Sequence, residues 1–200
     1  IDIPDINYMT TGSVYQDVIR KERNLEYKGK NVEVVPHIPQ EVIRRIKAAA
    51  ETADADVTIT EIGGTVGEYQ NVLFLEAVRM MKTEMPDRVL VVMVSYLPVP
   101  GSIGEMKTKP TQTAVRMLNS AGVFADFILA RGPVPLDQKR KDKIARFCNV
   151  RPEHVISAPD VASVYDVPVN FEKDDLSARI CALLGIKTRG SANLTAWKNF

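Results

Sequence analysis

"RVLVVMVSYL", residues 88–97, decides the fold: only Arg88 and Ser95 interrupt an apolar run. A strand with one wet face alternates polar and apolar residues, whereas a strand covered on both faces has no need to. The stretch therefore predicts an inner strand of a parallel sheet. Four more strands are expected around it: "NVEVVPHI" (31–38) and "DVTITEIGG" (56–64) before it, "DFILARG" (126–132) and "HVISAP" (154–159) after it. Helical periods fill the gaps. "SVYQDVIRKERNLEY" follows Thr10-Thr11-Gly12 and turns Val14, Val18 and Ile19 inward, and "PQEVIRRIKAAAETA" puts Val42, Ile43, Ile46 and Ala50 on one face. "NVLFLEAVRMMKTEM" (71–85) is stopped by Pro86, a helix runs from about Pro110 to Ser120, and "DQKRKDKIARFCNV" and "DLSARICALLG" supply the last two. This alternation predicts an α/β fold with a mostly parallel sheet and helices on both faces.

The 200 residues suit one domain, with 45% hydrophobic and 26% charged content. A net charge of +1 gives no global basic field, so no nucleic-acid partner is expected and any anion binding must be local. No apolar run has the length of a membrane span, and no membrane partner is expected. Cys148 and Cys181 form no metal motif with His37 or His154, and two unclustered thiols without a signal peptide predict a cytoplasmic protein. The chain opens at Ile1 rather than at a methionine, which suggests a piece of a longer protein or a missing beginning. After Ile186 the pattern dissolves into "KTRGSANLTAWKNF", a linker or a broken end.

In open parallel sheets, ligands bind beyond the carboxyl ends of the strands. Glu61 ends one expected strand and precedes "IGGTVGE". A carboxylate beside glycines suits a Mg²⁺ held against phosphate oxygens, and a surface acid before a turn fits equally. "GEMKTKPTQTAV" (104–115) sets Lys107 and Lys109 around Thr108 just before Pro110. Proline fits the first turn of a helix, and Thr111 and Gln112 would turn side chains and backbone N–H groups toward the same point, as in a triphosphate cradle. Two solvated lysines in a long loop are the other reading. The basic run Lys139, Arg140, Lys141, Lys143 and Arg146 reads mainly as a solvated helix face. His37 follows an expected strand and is the better functional histidine, and Cys148 reads as a core thiol. No GxxxxGK[ST] phosphate loop occurs in the chain.

Taken together, "TTGSVYQDVIRKER", "VEVVPHIP", "EIGGTVGE", "FLEAVR", "GEMKTKPTQTAV", "KIARFCNV" and "VISAPDVASVYDVP" closely resemble the CTP synthases, glutamine-dependent UTP amidoligases. The resemblance covers the chain to about residue 186 and implies a P-loop NTPase-like amidoligase fold without its P-loop. Residues 1–186 would be the C-terminal part of the synthetase domain, and 187–200 the start of a linker to a glutaminase domain. It implies that ATP phosphorylates O4 of the uracil ring and that ammonia from glutamine displaces the phosphate. By resemblance, Lys107 and Lys109 serve catalysis. Lys107, Thr108, Lys109, Pro110, Thr111, Gln112 and Lys143 bind UTP and overlap the CTP inhibitor site, which also takes in Glu68, Tyr69 and Gln70. Arg131, Asp160 and Val161 enclose the adenine of ATP, and Glu61 binds Mg²⁺ with an aspartate preceding this chain. A homotetramer is implied. Glu68-Tyr69-Gln70 stands where the family has Asp-Ile-Glu, Thr113 where it has His, and Asn24–Lys28 where it has Arg-Gly-Asp-Tyr-Leu. A related ATP-dependent ligase of the same wider fold, such as a dethiobiotin synthetase or cobyrinic acid amidase, is a second reading, and KTKPTQ argues against it because those ligases bind no pyrimidine triphosphate. A P-loop-less paralogue acting as a nucleotide-sensing or assembly module remains the alternative.

Overall fold

The computed structural model describes residues 3–102, 104–187 and 194–198, without the side chains of residues 196 and 198. The chain forms two compact units, Ile1–Glu84 and Met85–Phe200.

The first unit is helical. Helices α1 (Thr11–Arg23) and α3 (Val72–Glu84) both pack on α2 (Val34–Thr52). Val14 and Val18 of α1, Ile38, Val42 and Ile43 of α2, and Ala77 of α3 form its core. Thr10 caps α1 by accepting the Ser13 N–H at 3.2 Å. Ile19, expected inside, is 52% exposed, because the buried face of α1 is the narrow Val14–Val18 stripe.

Two expected strands are absent from this unit. Residues 34–38 start α2 instead, across a kink at Val35, where φ is −114° and ψ 126°. The helical burial period Ile38, Pro39, Val42, Ile43 reaches further upstream than the sequence reading allowed, while Val34 and Val35 point outward. Pro39 is tolerated because the first helical turn needs no donor there. His37 therefore follows no strand. Its Nδ1 accepts the Glu33 N–H at 3.0 Å and its ring meets Tyr27 edge-on, both local structural contacts. Residues 56–64 join no strand ladder and form no regular element, with Ile59 93% exposed. An apolar alternation becomes a strand only with a ladder partner, and none pairs with it among the described residues.

The second unit holds the sheet: β1 (Val92–Tyr96), β2 (Phe127–Gly132) and β3 (Val155–Pro159), all parallel, in the order β1-β2-β3. Helix α4 (Lys109–Ser120) links the first pair and α5 (Gln138–Cys148) the second. On one face, Phe127, Leu129 and Ile156 pack against Phe171 of α6 (Asp166–Phe171) and Leu176 and Ile180 of α7 (Leu176–Leu183). On the other, α4 buries Thr111, Val115 and Leu118, with Thr111 hydrogen-bonded to Ser95 of β1 at 2.8 Å. The expected helix-flanked parallel sheet is thus present, with three strands among the described residues. The double burial read into residues 88–97 is corrected. Among the described residues β1 lies at one edge of the sheet, and Val94 is 60% exposed while α6 and α7 pack on β2 and β3.

A polar knot ties α5 to β3. Asp174 accepts the Ser157 N–H at 2.7 Å and the Lys141 ammonium at 2.6 Å, while Ser157 Oγ accepts the Leu136 N–H at 2.9 Å. Of the expected linker, residues 188–193 and 199–200 lie outside the described residues. The short helix α8 (Thr195–Lys198) is anchored by Trp197, whose indole N–H donates to the Tyr165 carbonyl at 2.6 Å.

Candidate functional site

The candidate lysines stand at the carboxyl end of β1. The ladder continues through the Leu97 N–H to the Arg131 carbonyl at 2.7 Å. The following loop returns to its origin when the Lys107 N–H donates to the Pro98 carbonyl at 2.9 Å. Gly132 permits this close return, since a Cβ there would lie 3.1 Å from Met106 Cε and 3.3 Å from the Leu97 carbonyl. The KTKPTQ segment then divides by face. Thr108, Thr111 and Gln112 are buried, and Gln112 donates to Thr108 Oγ1 at 3.0 Å. Burial has each of Thr111 and Gln112 find a partner inside, Ser95 for Thr111 and Thr108 for Gln112. Lys107 and Lys109 face solvent from either side, with Pro110 in the first turn of α4.

Around Lys107 lies a charge set whose full membership the sequence did not show. The Lys107 ammonium donates to Glu105 Oε2 at 2.8 Å, and Arg140 Nη2 lies 3.8 Å from Glu105 Oε1. The Glu105 carboxyl is held below its ordinary value, first by the Lys107 hydrogen bond and charge and then by the fields of Arg140 and Lys143. Arg140 also pairs with Asp137, the N-cap of α5. Lys143 lines a shallow groove of about 490 Å³ with Lys139, Asp142, Arg146 and the exposed ring of Phe147. The basic run is thus not uniformly solvated: Lys141 belongs to Asp174, Arg140 to Asp137 and Glu105. At the neighbouring strand ends, Arg131 Nη2 and Asp160 Oδ1 are 3.5 Å apart, and the Asp160 N–H donates to the Gly132 carbonyl at 2.8 Å. Val161 follows, 36% exposed.

The acidic candidates belong to the first unit. Glu68 folds the loop after Glu61 by accepting the Thr65 N–H at 2.9 Å and the Gln70 amide. Asn71, buried, donates to the Gly63 carbonyl at 2.9 Å. Gly64 has φ +87°, and a Cβ there would sit 2.8 Å from Glu68 Oε2, so only glycine serves. Tyr69 is 94% exposed. Glu61 is exposed, and no group of three His, Cys, Asp or Glu side chains converges among the described residues. One solvated carboxylate does not make a magnesium site alone, since Mg²⁺ needs six oxygens in near-octahedral array.

The densest ionic cluster was not anticipated. Glu41, 4% exposed, accepts from Lys21 at 2.5 Å, from Arg44 at 2.6 and 2.8 Å and from Arg45 at 3.0 Å, and Arg45 reaches Asp17 at 2.7 Å. Burial pushes the Glu41 carboxyl up, but the hydrogen bonds from Arg44, Lys21 and Arg45 outweigh it and hold it at about 2. Its role is to lock α1 onto α2. Burial pushes the Cys148 thiol up to about 11, as befits a core thiol. His154 stacks on Phe127 and its Nδ1 lies 3.0 Å from the Asp126 carbonyl oxygen, a structural placement.

An open parallel sheet with cations gathered past its strand ends defines an α/β domain of the class that takes ligands at that edge. The family described as the CTP synthase N-terminus matches residues 1–186, and the chain belongs to it. Proteins named CTP synthase are 45% identical over 97% of this chain in Picosynechococcus sp., 44% over 96% in Symbiobacterium thermophilum, and 42% over 96% in Methanococcus maripaludis. The chain spans 35% of the first of these relatives and 36% of the other two. The region matched is the N-terminal, synthetase region of the family; the narrower placement in a C-terminal part is not what the match supports.

Proposed function

We propose that this chain supplies the pyrimidine-triphosphate end of a CTP synthase, a ligase that aminates UTP to CTP. The observation that carries it is the placement of Lys107 and Lys109, outward and at the β1 end, within the family-matched region. Two cations at a helix start, Lys107 half-buried and Lys109 exposed, are poor for an isolated fold and good for a polyphosphate. In this reading Lys107, Lys109 and Lys143 meet the phosphates, and Thr108, Pro110, Thr111 and Gln112 shape the helix start. Glu68, Tyr69 and Gln70 meet bound CTP, and Arg131, Asp160 and Val161 meet ATP. ATP supplies the phosphoryl group that turns the uracil O4 into a leaving group, which ammonia displaces. Glu61 gives at most one ligand to a Mg²⁺ held mainly by phosphate oxygens.

Residues 1–186 form part of the synthetase domain, and residues from 187 lead to a glutaminase domain that supplies ammonia. The protein works in the cytoplasm as a homotetramer. Among the described residues no helix is long and apolar enough to cross a membrane. The exposed Ile19 and a shallow groove lined by Gly12, Tyr15, Gln16 and Arg20 on α1 support a subunit contact through residues 10–28. This chain alone is expected to be inactive, since it contains no GxxxxGK[ST] phosphate loop and Glu61 belongs to no cluster of three His, Cys, Asp or Glu side chains among the described residues.

The test is CTP formation from UTP, ATP and ammonium. The intact protein should show it and lose it on Lys107→Ala or Lys109→Ala, while the 200-residue chain should show none. Unchanged turnover in both lysine variants would sink the assignment. Binding of UTP without turnover in the intact wild type would favour the nucleotide-sensing reading instead.

A further inference from the structure

Glu105 holds an unusual position for a carboxylate in a proposed phosphate site. It bridges cations from two elements, with one oxygen on Lys107 at 2.8 Å and the other 3.8 Å from Arg140. The field of Lys143 also reaches it. Two cations, Lys107 from the pre-α4 loop and Arg140 from α5, therefore converge on one exposed acid. Arg140 is oriented for the purpose. Asp137 accepts the Arg140 backbone N–H at 2.8 Å and also pairs with its guanidinium, which fixes one side of the fork. The other nitrogen faces Glu105 at 3.8 Å, too far for a hydrogen bond, so that donor is directed but not saturated.

We propose that Glu105 is the internal counter-ion of Lys107 and Arg140, that a nucleoside triphosphate displaces it, and that Arg140 is thereby a further phosphate-binding residue. The proposal rests on the triphosphate reading of Lys107 and Lys109. The exchange is physically easy. Glu105 is 57% exposed and Lys107 37%, and ion pairs this exposed to water contribute little net stability. A triphosphate brings more charge and more acceptor oxygens than one carboxylate, and Arg140 offers a planar donor edge to them. Asp137 stays with Arg140 throughout, which leaves the competition at Glu105 alone.

Glu105→Gln keeps the size of the side chain and removes its charge. In the intact protein, calorimetric titration should show UTP binding roughly 2- to 5-fold more tightly in this variant at low salt. Inorganic tripolyphosphate, titrated as a competitor of UTP, should gain by the same factor, because the competition lies at the phosphate end. Arg140→Gln should weaken both ligands, and combining the two substitutions should shrink the gain from Glu105→Gln. The melting temperature, expected to be unchanged for Glu105→Gln, separates these effects from folding. Unchanged or weaker binding in Glu105→Gln, with the lysine variants still impaired, overturns the counter-ion proposal alone and makes Glu105 a support for Lys107. UTP binding that is indifferent to Lys107→Ala and Lys109→Ala overturns the triphosphate reading beneath it.

Discussion

The two ionic clusters of this chain resolve the same problem in opposite ways. Around Glu41, one buried carboxylate is matched by three cations, every oxygen is used, and the groups hold helix to helix. Around Glu105, one exposed carboxylate faces two cations, and Lys109, two residues on from Lys107, has no side-chain partner among the described residues. Buried charge must be satisfied by the fold itself, because leaving it unpaired costs several kcal/mol. Exposed excess charge costs little and stays available to a ligand. The difference lies in burial and saturation, not in the number of charged residues.

The sharpest way to break this comparison is to remove Glu41. Glu41→Ala leaves Lys21 and Arg45 against each other at 20% and 17% exposure. We expect a loss of about 3–5 kcal/mol in urea unfolding of the first unit. A loss below about 1 kcal/mol would mean that the cluster is ornamental and that the contrast with Glu105 fails.

Acid tests the same contrast without mutation. The folded Glu41 carboxyl titrates at about 2, below its ordinary 4.5, so the folded state favours the ionised form. Its contribution is fully present above the ordinary value and is lost as pH falls toward 2. The shift is worth on the order of 3 kcal/mol. Stability of the first unit, followed by the signal of Tyr15 or Tyr27, should fall steeply over that window. Glu41→Gln should flatten this slope, while Glu105→Gln, at an exposed site, should leave it nearly intact.

Lysines provide the next comparison. Lys109→Ala should weaken UTP binding to the intact protein by about 1.5–3 kcal/mol, or roughly 10- to 150-fold. Lys141→Ala, in the same sequence class of exposed-looking cations, should instead lower the melting temperature through Asp174 and leave UTP affinity within a factor of about two. Equal affinity losses in both would show that the cradle has been misplaced.

The sequence made α4, α5 and the strands at 92–96, 127–132 and 155–159 legible because each carries its own periodicity and ends in a turn signal. It misled at residues 31–38 and 56–64. Both alternate like strands, but strand formation depends on partners that local pattern does not contain. At the site, KTKPTQ marked the position of Lys107 and Lys109 and not the inward contacts of Thr111 with Ser95 and of Gln112 with Thr108. Arg140 and Glu105 were invisible as a pair because they are distant in sequence and meet only after β2 and α5 are in place. The basic run around Lys141 was the nearest available signal, and it named the helix without telling its paired residues from its free ones.

The smallest expected effect concerns residues 68–70. Glu68 already accepts from the Thr65 N–H at 2.9 Å and from the Gln70 amide, so its carboxylate is partly satisfied within its own loop. If bound CTP meets this loop, its hydroxyls compete with Gln70 for Glu68 and find a neutral amide where the family has a second carboxylate. Gln70→Glu removes that internal donor and restores charge-assisted acceptance, worth about 1 kcal/mol. CTP should then inhibit the intact enzyme about 5- to 10-fold more strongly, with UTP affinity little changed. Gln70→Ala separates the two causes, because it frees Glu68 without adding charge. A partial gain in Gln70→Ala assigns part of the effect to the released carboxylate, and a gain confined to Gln70→Glu assigns it to the new charge. An equal response of UTP and CTP to either substitution would remove residues 68–70 from the inhibitor pocket.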